Sequence, residues 1–490
     1  MGKYIIALDE GTTSLRTVLY DINEKKIVKV SQKPFKQFYP KSGWVEQDAN
    51  EIWTKQKETL DDILHNINQN DVIGLGLTNQ RETVVAWNKT TGEPIYNAIV
   101  WQCKRTSKEI NKLPTNIKRK IKNKTGLIAD AYFSASKMKW ILTNIPEAKK
   151  LAAADNLCLG TIDSFLAYKL TGQFVTDTTN ASRTMLFNIN TLSWDDELLK
   201  IFGVPKNTLP KVVSCNENIG KCLDYTFDLC GMIGDQQSSM FGQACFKKGM
   251  TKATYGTGCF ILMNVGNTPS KAKNVLSTIG YTIDGKTTYA LEGSVFSACN
   301  AIDWLKNNLC FYEDVAQTAE ICTSIPSTDG VYFVPAFSGL GAPYWDGFSK
   351  GTITGMTLAT NKAHLIRACF ESIAYNTYAI IKDMSLNSCP IKELHVDGGG
   401  SKNSFLLQFQ SDIIQRNVLK SKESESTVLG AVYMVAVCKK IFNIQDIAKM
   451  YTSSVTVTPK ITIKERNTLY KGWENAIKIV KYDSKKRREK

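Results

Sequence analysis

The chain has 490 residues, of which 43% are hydrophobic, and its 61 Lys and Arg against 46 Asp and Glu give a formal net charge of +15. This length and apolar content predict two or three domains, each with its own buried core. The basic residues are spread thinly along the chain rather than clustered in one arm, which disfavours a nucleic-acid-binding protein. We interpret the densest basic run, residues 485–490, as a solvated and frayed tail.

Cysteine spacing and the apolar runs indicate the cellular compartment. The 13 cysteines are irregularly spaced without a Cys-x-x-Cys pair, which is typical of reduced and mostly buried thiols. The longest apolar run, residues 428–438, is shorter than the roughly 20 residues that cross a bilayer, so we interpret it as a buried helix. No secretory signal pattern precedes the first strand-like run at residues 4–8. We therefore expect a cytoplasmic protein without membrane insertion.

The first elements along the chain are predicted to be a β-hairpin, a third strand and a helix. Residues 4–9 and 15–21 are apolar and β-prone, and turn-forming residues separate them. A third strand is predicted at residues 26–35. Asp48 with Glu51 predicts a capping box, after which apolar residues recur at helical spacing. Those positions are Ile52, Leu60, Ile63, Leu64 and Ile67, and further strands are predicted at 72–77, 83–87 and 95–101.

A similar pattern begins near residue 250. Residues 252–255 and 260–265 are strand-like and flank a Gly-Thr-Gly turn. A further strand and hairpin are predicted at 282–291, followed by a helix at 297–307. Strands and helices thus mix in both halves, which predicts the α/β fold class, with two similar domains and a ligand-binding cleft between them. We place the domains at residues 1–248 and 249–490.

The two Gly/Thr turns are candidate phosphate-binding elements. The chain has no Gly-x4-Gly-Lys-Ser/Thr loop, no Gly-x-Gly-x-x-Gly opening a helix and no His-Arg-Asp loop. The turns at residues 10–14 and 256–258 nevertheless offer backbone N–H groups and hydroxyls to phosphate oxygens. Asp9 ends the strand before the first turn, where a carboxylate can hold Mg²⁺ through water. Each turn alone is also consistent with an ordinary hairpin.

Two loop segments carry further candidate side chains. Arg81 and Glu82 lie between two predicted strands and together offer a polyol both donors and acceptors, although a surface ion pair is the alternative. Trp101 ends the next strand and can pack against the carbon side of such a ligand or against the core.

Asp235 stands at a predicted helix N-terminus, where its ordinary role is to cap the helix. In a cleft, the same carboxylate can take the proton from a hydroxyl that attacks a phosphoryl group. Three glycines at 398–400 end another predicted strand and allow a nucleotide to approach the backbone closely.

Seven segments, in chain order, resemble the glycerol branch of the FGGY carbohydrate kinases. They are 7–14 (ALDEGTTS), 78–83 (TNQRET), 99–103 (IVWQC), 180–185 (NASRTM), 234–237 (GDQQ), 255–260 (YGTGCF) and 339–346 (GLGAPYWD). The resemblance extends from about residue 4 to the region around residues 465–467. The second and third segments are the ones that distinguish the glycerol branch from the pentulose branches.

This resemblance implies two actin-like, ribonuclease-H-like domains flanking a ligand-binding cleft. It also implies phosphorylation of glycerol to sn-glycerol 3-phosphate with ATP and Mg²⁺, with Asp235 as general base and Asp9 near the metal ion. The N-terminal domain would hold glycerol and the phosphates, the C-terminal domain the nucleotide, and the protein would be a homo-oligomer, either dimer or tetramer. The implied glycerol ligands are Arg81, Glu82, Trp101, Tyr132, Asp235, Gln236 and Phe260. The implied nucleotide ligands are Thr12, Thr13, Ser14, Arg16, Thr257, Gly399 and Asn403.

Four positions depart from the pattern of this family. Glu10 stands where the family usually has Gln, and Leu15 where it usually has Ser, so we expect added negative charge near the phosphates. Cys299 and Asp303 stand where the family commonly has Gly and Gln in contact with the nucleotide, which leaves nucleotide preference open. The alternatives are a kinase of another small polyol or pentulose, and a catalytically silent nucleotide-binding relative.

Overall fold

The structure, a computed structural model, describes residues 2–423 and 425–488. Its strands, in chain order, are β1 Tyr4–Glu10, β2 Ser14–Asp21, β3 Lys26–Pro34, β4 Gln37–Phe38, β5 Glu46–Gln47, β6 Val72–Asn79, β7 Val84–Asn88, β8 Ala98–Ile99, β9 Leu157–Thr161, β10 Val175–Asp177, β11 Phe187–Asn188, β12 Ser193–Trp194, β13 Lys211–Val213, β14 Gly220–Lys221, β15 Asp228–Gly234, β16 Met250–Tyr255, β17 Cys259–Gly266, β18 Leu276–Ile283, β19 Lys286–Val295, β20 Tyr332–Val334, β21 Thr352–Thr354, β22 Glu393–Asp397, β23 Val418–Ser421 and β24 Ser453–Val457.

The α-helices, in the same order, are α1 Ala49–Leu64, α2 Ser107–Asn111, α3 Thr115–Thr125, α4 Ser134–Asn144, α5 Pro146–Ala153, α6 Ile162–Thr171, α7 Thr178–Ala181, α8 Asp196–Phe202, α9 Asp235–Gly242, α10 Cys299–Asn307, α11 Thr318–Thr323, α12 Lys362–Asn387, α13 Ser404–Ile414, α14 Ser426–Cys438, α15 Ile444–Met450 and α16 Ile463–Arg488. Strands and helices therefore mix along the whole described chain, which confirms the predicted α/β class.

The N-terminal half is built on a sheet with the strand order β14-β15-β6-β1-β2-β3. β1 pairs antiparallel with β2, and β2 with β3, whereas β6 runs parallel to β1 and β15 parallel to β6. The predicted hairpin and third strand are thereby confirmed. A smaller sheet, β4-β5-β8-β7-β9, lies in the same half, and Trp101 follows its strand β8.

The C-terminal half contains a second large sheet with the order β18-β19-β17-β16-β22-β23-β24. β16 pairs antiparallel with β17, and β17 with β19, while β22 runs parallel to β16 and β23 parallel to β22. The run β19-β17-β16-β22-β23 therefore has the same strand order and directions as β3-β2-β1-β6-β15. The repeat predicted from the two Gly/Thr turns is a repeat of sheet topology.

The two halves are tied together by a helix crossing. α14 packs on β1, β6 and β15 of the first sheet and crosses α9, which follows β15. At the crossing the backbones touch: a Cβ on Gly430 would lie 2.0 Å from Ser238 O, and one on Gly242 would lie 2.0 Å from Ser426 O. The predicted buried helix at residues 428–438 is confirmed, and it covers the sheet of the other half. The boundary between residues 248 and 249 stays a prediction.

Four details of the predicted elements differ in the structure. Asp48 accepts the backbone N–H groups of the first turn of α1, but the described residues contain no reciprocal bond from Glu51, so the capping box is half formed. The strand predicted at 95–101 shrinks to β8, because the chain then turns and Cys103 N–H donates to Val100 O. The helix predicted from residue 297 begins at Cys299, and Ile67 lies beyond the end of α1.

The basic C-terminal run is helical and anchored. α16 continues through Arg488, and Ser484 Oγ and Arg488 Nη2 donate to Asp346 Oδ1 at 2.9 and 2.6 Å. Asp346 is buried, so these bonds fix the helix end to the loop after residue 340. The prediction of a frayed tail is therefore wrong up to residue 488, and residues 489–490 lie outside the described residues.

The cysteines agree with the expectation from their spacing. All 13 cysteines fall within the described ranges as free thiols, and most are buried. Among residues 2–423 and 425–488, no helix combines the length and the apolarity that spanning a bilayer requires.

Candidate active site

Arg81 and Glu82 lie in the loop that joins β6 to β7, at the end of the first sheet. Both are buried, with 3% and 1% of their surface exposed, so the alternative of a surface ion pair is wrong. Glu82 has a positive φ of 63°. A non-glycine residue in this left-handed region costs about 1–3 kcal/mol and is typical of functional loops.

Arg81 binds Glu292 on β19 rather than Glu82. Its Nη1 and Nη2 donate to the two Glu292 oxygens at 2.7 and 2.9 Å, whereas Arg81 Nε lies 4.0 Å from Glu82 Oε1. Glu82 Oε1 accepts from Arg183 Nε at 2.6 Å, and Arg183 Nη2 donates to Glu292 Oε1 at 3.1 Å. Arg81 and Glu82 are thus at the 4.0 Å limit of an ion pair with each other, and each makes its shorter contacts with a residue distant in sequence. Adjacent side chains diverge from the backbone, so each finds its partner elsewhere.

The four charged groups form a buried cluster across the two halves. Burial opposes ionisation of Glu292, but the charges of Arg183 and Arg81 outweigh it and lower its pKa to about 2. For Glu82, burial outweighs the same two guanidinium groups and raises the pKa above its ordinary value. Glu292 is therefore the ionised anchor of the cluster.

Sequence reasoning missed Glu292 and gave Arg183 no role. Glu292 is the only charged residue in the run 289–295 of a buried strand. An isolated charge at a buried strand position needs a partner, and that signal alone indicates a polar site nearby. Arg183 lies within a segment that carried the family resemblance.

Asp235 is the first residue of α9, whereas the sequence predicted it at the capping position, one residue before the helix. Gly234 takes the N-cap position, because its backbone is still extended there. Asp235 Oδ1 accepts from Gln236 N–H at 2.7 Å and forms an ion pair with Arg81 Nε at 3.2 Å, and Oδ2 accepts from Gln236 Nε2 at 3.0 Å. About a third of the Asp235 side chain is exposed. The carboxylate is thus held from one side and open to the cleft on the other.

Aromatic side chains form a wall beside this polar group. Trp101 and Tyr132 meet edge to face with ring centroids 5.5 Å apart, and Trp101 Nε1 donates to Thr12 Oγ1 at 3.1 Å. Phe260 on β17 pairs in register with Ser294 on β19. Because side chains alternate along a strand, Phe260 lies on the same sheet face as Glu292.

Asp9 and Glu10 end β1 and differ in environment. Burial raises the pKa of Asp9 to about 7, against the opposing charge of Arg16. Glu10 is completely buried and accepts from Gln80 Nε2 at 2.8 Å, and burial raises its pKa well above the ordinary value. Burial therefore disfavours the charged form of Glu10, and the expected extra negative charge near the phosphates stays a prediction. Leu15 is a fully buried core residue.

In the first Gly/Thr turn, Thr13 is exposed, whereas the side chains of Ser14 and Arg16 already have hydrogen-bond partners in the protein. Ser14 Oγ accepts from Gln32 Nε2 at 3.1 Å. Arg16 donates to Gln32 Oε1 at 3.1 Å and forms an ion pair with Glu425, just before α14. Arg16 is therefore already paired with a carboxylate in this structure and keeps further N–H donors for a phosphate.

The second Gly/Thr turn faces the start of α10. Thr257 is exposed, and its carbonyl oxygen accepts from the N–H groups of Ala298 and Asn300 at 3.0 and 3.3 Å. Gly399 is exposed after β22, with open space where a Cβ would stand. Asn403 instead caps α13, because its Oδ1 accepts from Leu406 N–H at 2.9 Å. Its Nδ2 also donates to Thr318 Oγ1 at 3.0 Å, so both polar atoms of the Asn403 side chain have a hydrogen-bond partner in the protein.

A cavity of about 480 Å³ runs along α10 beside this turn. Its lining residues, mostly polar, are Asn300, Asp303, Trp304, Asn307, Asn308 and Phe337. Cys299 lies one turn before Asp303 on the same side of α10, and a Cβ on Gly400 would meet its Sγ at 2.8 Å. Cys299 therefore faces the glycines after β22, and Asp303 lines the cavity one turn further along the helix.

Comparisons with known proteins cover almost the whole chain. The family model "FGGY family of carbohydrate kinases" matches with its N-terminal domain over residues 4–242 and with its C-terminal domain over residues 251–438. A glycerol kinase from Thermococcus onnurineus is 45% identical over 485 residues, with 98% of each chain covered. A glycerol kinase from Oceanobacillus iheyensis is 45% identical over 492 residues, again with 98% of each chain covered.

The same similarity holds in three dimensions. The crystal structure of Plasmodium falciparum glycerol kinase with ADP superposes with a TM-score of 0.92 at 35% identity, covering 97% of this chain and 98% of that chain. The similarity therefore extends over nearly the full length of both chains.

Proposed function

The chain belongs to the FGGY family of carbohydrate kinases, and from that premise we propose that it transfers the γ-phosphoryl group of ATP to glycerol, giving sn-glycerol 3-phosphate and ADP. Curated glycerol kinases at 45% identity over 98% of the chain support the substrate, and the similarity to a glycerol kinase solved with ADP supports the nucleotide. A pentulose kinase and a catalytically silent relative are not favoured by these full-length similarities.

The observation that carries the proposal is the setting of Asp235. Its carboxylate is bound by Arg81 and Gln236 on one side, is about a third exposed, and lies in the cleft with the aromatic pair of Trp101 and Tyr132. A small polyol needs charged hydrogen-bond partners for its hydroxyls and an apolar surface for its carbons. The candidate site offers both, and we assign Arg81, Glu82, Gln236 and Phe260 to the same polyol.

In the proposed mechanism, the attacking hydroxyl of glycerol donates a hydrogen bond to Asp235 Oδ2. As its oxygen bonds to the γ-phosphorus, the bond from that phosphorus to the bridging oxygen of ADP breaks, and the hydroxyl proton passes to Asp235. Arg81 and Gln236 fix the direction in which the carboxylate accepts the proton. Glu82 Oε2 has no hydrogen-bond partner in the described residues and is available to a second hydroxyl.

We assign the nucleotide to the two Gly/Thr turns. Thr12, Thr13, Ser14 and Arg16 would bind its phosphates from the first half, with Thr257, Gly399 and Asn403 on the second half. The described residues contain no cluster of three or more His, Cys, Asp or Glu suited to a metal ion, so a Mg²⁺ ion fits here only with Asp9, water and the phosphates as ligands. The raised pKa of buried Asp9 indicates a carboxylate that a cation would stabilise. Bound Mg²⁺ would neutralise charge on the transferring phosphates.

An assay of ADP release over a panel of polyols tests the substrate. Glycerol should give a higher kcat/KM than erythritol, ribulose or xylulose, because the aromatic wall and the charged cluster leave room for a short chain. A comparable kcat/KM for a pentulose would contradict the assignment. A homo-oligomer, dimer or tetramer, and a cytoplasmic location stay predictions, and light scattering of the purified protein tests the first.

Asp235→Asn tests the catalytic base. Asn keeps the size and can still bond the hydroxyl, but it cannot accept the proton, so kcat should fall by at least about 100-fold with little change in glycerol affinity or melting temperature. The matched control is Asp224→Asn, which removes an exposed carboxylate that is bound to Lys57. Near-normal turnover in a folded Asp235→Asn protein would refute the role of Asp235.

A further inference from the structure

Lys252 is a buried cation in the cleft that no sequence motif indicated. It lies on β16 and is completely buried, and its Nζ donates to Gln236 Oε1 at 2.6 Å and to Thr254 Oγ1 at 3.1 Å. Within the part of the chain that the structure describes, no carboxylate forms an ion pair with Lys252 Nζ, and the charges of Asp397, Asp235 and Glu292 act on it from further away. Burial lowers the pKa of Lys252. A buried ammonium without a direct counter-charge is costly, so its presence calls for a specific role.

Strand alternation explains why Lys252 points into the cleft. Its neighbours Thr251 and Ala253 are also fully buried, but they lie on the opposite face of β16, whereas Thr254 shares the face of Lys252. That face meets the first turn of α9, where Gln236 follows Asp235. The second sheet thereby reaches the residue next to the candidate base.

The hydrogen-bonding capacities around Gln236 determine the orientation of its side-chain amide. Lys252 has only donors to offer, and the carboxylate of Asp235 offers only acceptors. Gln236 Oε1 therefore faces Lys252, and Gln236 Nε2 faces Asp235 Oδ2 at 3.0 Å. With Lys252 absent, nothing on that side would distinguish the amide oxygen from the amide nitrogen, and a rotated amide would place an oxygen against the carboxylate.

We propose that Lys252 is a positioning residue for phosphoryl transfer: it holds the Gln236 amide so that Gln236 keeps the Asp235 carboxylate in one orientation. The inference rests on the proposed function, since it concerns the residue assigned there as the base. Lys252 acts through Gln236, so removing either residue should lower kcat, and removing Gln236 should in addition raise the KM for the polyol, because Gln236 is also assigned to the polyol.

A double-mutant cycle with Lys252→Met and Gln236→Met tests this role. Each single variant should lower kcat by about tenfold or more, the lower end expected for a lost charged hydrogen bond, and the KM for ATP should stay close to that of the wild type. Because both act through one chain of contacts, the double variant should be no slower than the slower single variant. Multiplying effects, or a folded Lys252→Met protein with a kcat within about twofold of the wild type, would overturn the proposal.

The controls separate folding, charge and substrate identity. Met at position 252 removes a buried charge, so the melting temperature should hold or rise. If Lys252→Met fails to fold, the kcat of Gln236→Met tests the proposal on its own. A kcat of Gln236→Met equal to that of the wild type overturns the proposal. Lys439→Met removes a partly exposed lysine bound to Asp228 and should leave kcat unchanged.

The comparison of the Lys252 and Gln236 variants with the wild type does not depend on glycerol as the substrate. All kinetics use whichever polyol the wild-type enzyme phosphorylates best, so a failure with glycerol would overturn the proposed function and leave the Lys252 comparison intact. A crystal structure of Lys252→Met gives a second readout independent of turnover. A rotated or displaced Gln236 amide supports the proposal, and an amide still bonded to Asp235 through Nε2 overturns it.

Discussion

Replacing Glu292 with Gln should destabilise the protein more than most single substitutions, because Glu292 neutralises two buried guanidinium groups at once. It accepts from Arg81 at 2.7 and 2.9 Å and from Arg183 at 3.1 Å, and none of its side chain is exposed. Glutamine has nearly the same shape but no charge. The substitution therefore removes the electrostatic contribution of Glu292 and leaves the packing in place.

The magnitude follows from the pKa of Glu292, which falls from 4.5 to about 2 in the folded protein. At about 1.4 kcal/mol per pKa unit, folding favours the ionised over the neutral form by roughly 3 kcal/mol. Loss of one partner from a buried ion pair costs about 3–5 kcal/mol in other proteins, which agrees. At about 2–4 °C per kcal/mol, the melting temperature should fall by roughly 6–12 °C.

Thermal and denaturant unfolding across a pH series provide the assay. The folded-state pKa of Glu292 is depressed, so its contribution is present above the unfolded value near 4.5 and is lost as the pH falls through about 2. The stability difference between wild type and Glu292→Gln should therefore be constant from about pH 5 to 8 and shrink at lower pH. Freed from Glu292, Arg81 should also bind the polyol less well, which would raise the glycerol KM.

Glu371 on α12 supplies the matched control. It is also buried and accepts from an arginine, Arg367 Nε, at 2.9 Å, but here burial outweighs the arginine and raises its pKa. Glu371→Gln should therefore leave stability at neutral pH unchanged or increase it. If both substitutions cost the same, or if Glu292→Gln unfolds like the wild type, the electrostatic reasoning is wrong.

Two further predictions concern Asp303 and Asp163. Asp303 lines the cavity beside the second turn, and an ionised carboxylate can only accept hydrogen bonds. An acceptor suits the N–H groups of guanine better than the edge of adenine, which carries both a donor and an acceptor. Asp303→Gln should therefore raise the ratio of kcat/KM for ATP to that for GTP. An unchanged ratio would show that Asp303 does not contact the base. Burial, with the nearby charge of Asp177, raises the pKa of Asp163 from 3.8 to about 7. Between these pH values the folded protein retains a proton on Asp163 that the unfolded chain releases. The free energy of unfolding of the wild type should therefore decline by roughly up to 4 kcal/mol as the pH rises from 3.8 to about 7. Asp163→Asn should remove this decline, and a pH-independent difference in the free energy of unfolding between the two proteins would contradict it.

The elements that sequence predicted well are those that depend on neighbouring residues. The hairpin β1–β2 and its counterpart β16–β17 follow from runs of apolar, β-prone residues on either side of a short Gly/Thr turn, and each hairpin lies within about 20 residues of chain. The capping position of Asp48 and the buried helix α14 are equally local. These elements could be predicted without any knowledge of the rest of the fold.

The failures concern partners that are distant in sequence. Adjacency indicated a pair of Arg81 and Glu82, yet the closest partner of Arg81 lies 211 residues away on another sheet. The basic end of α16 looked like a solvated tail because its anchor, Asp346, lies 142 residues earlier than Arg488. Lys252 likewise carried no local signal, because only the packing of β16 on α9 shows which face it occupies.

The origin of the charges in the cleft explains why the two halves must act as one catalytic unit. The first half supplies Arg81, Arg183 and Asp235, whereas Glu292 and Lys252 come from strands of the second sheet. Without the second half, two guanidinium groups that are now buried would lose the carboxylate that neutralises them, and the amide beside Asp235 would lose its donor. A pre-organised site depends on such supporting contacts as much as on the residues that touch the substrate. Residues 1–248 alone therefore contain most of the proposed glycerol ligands but not the charges that hold them in place.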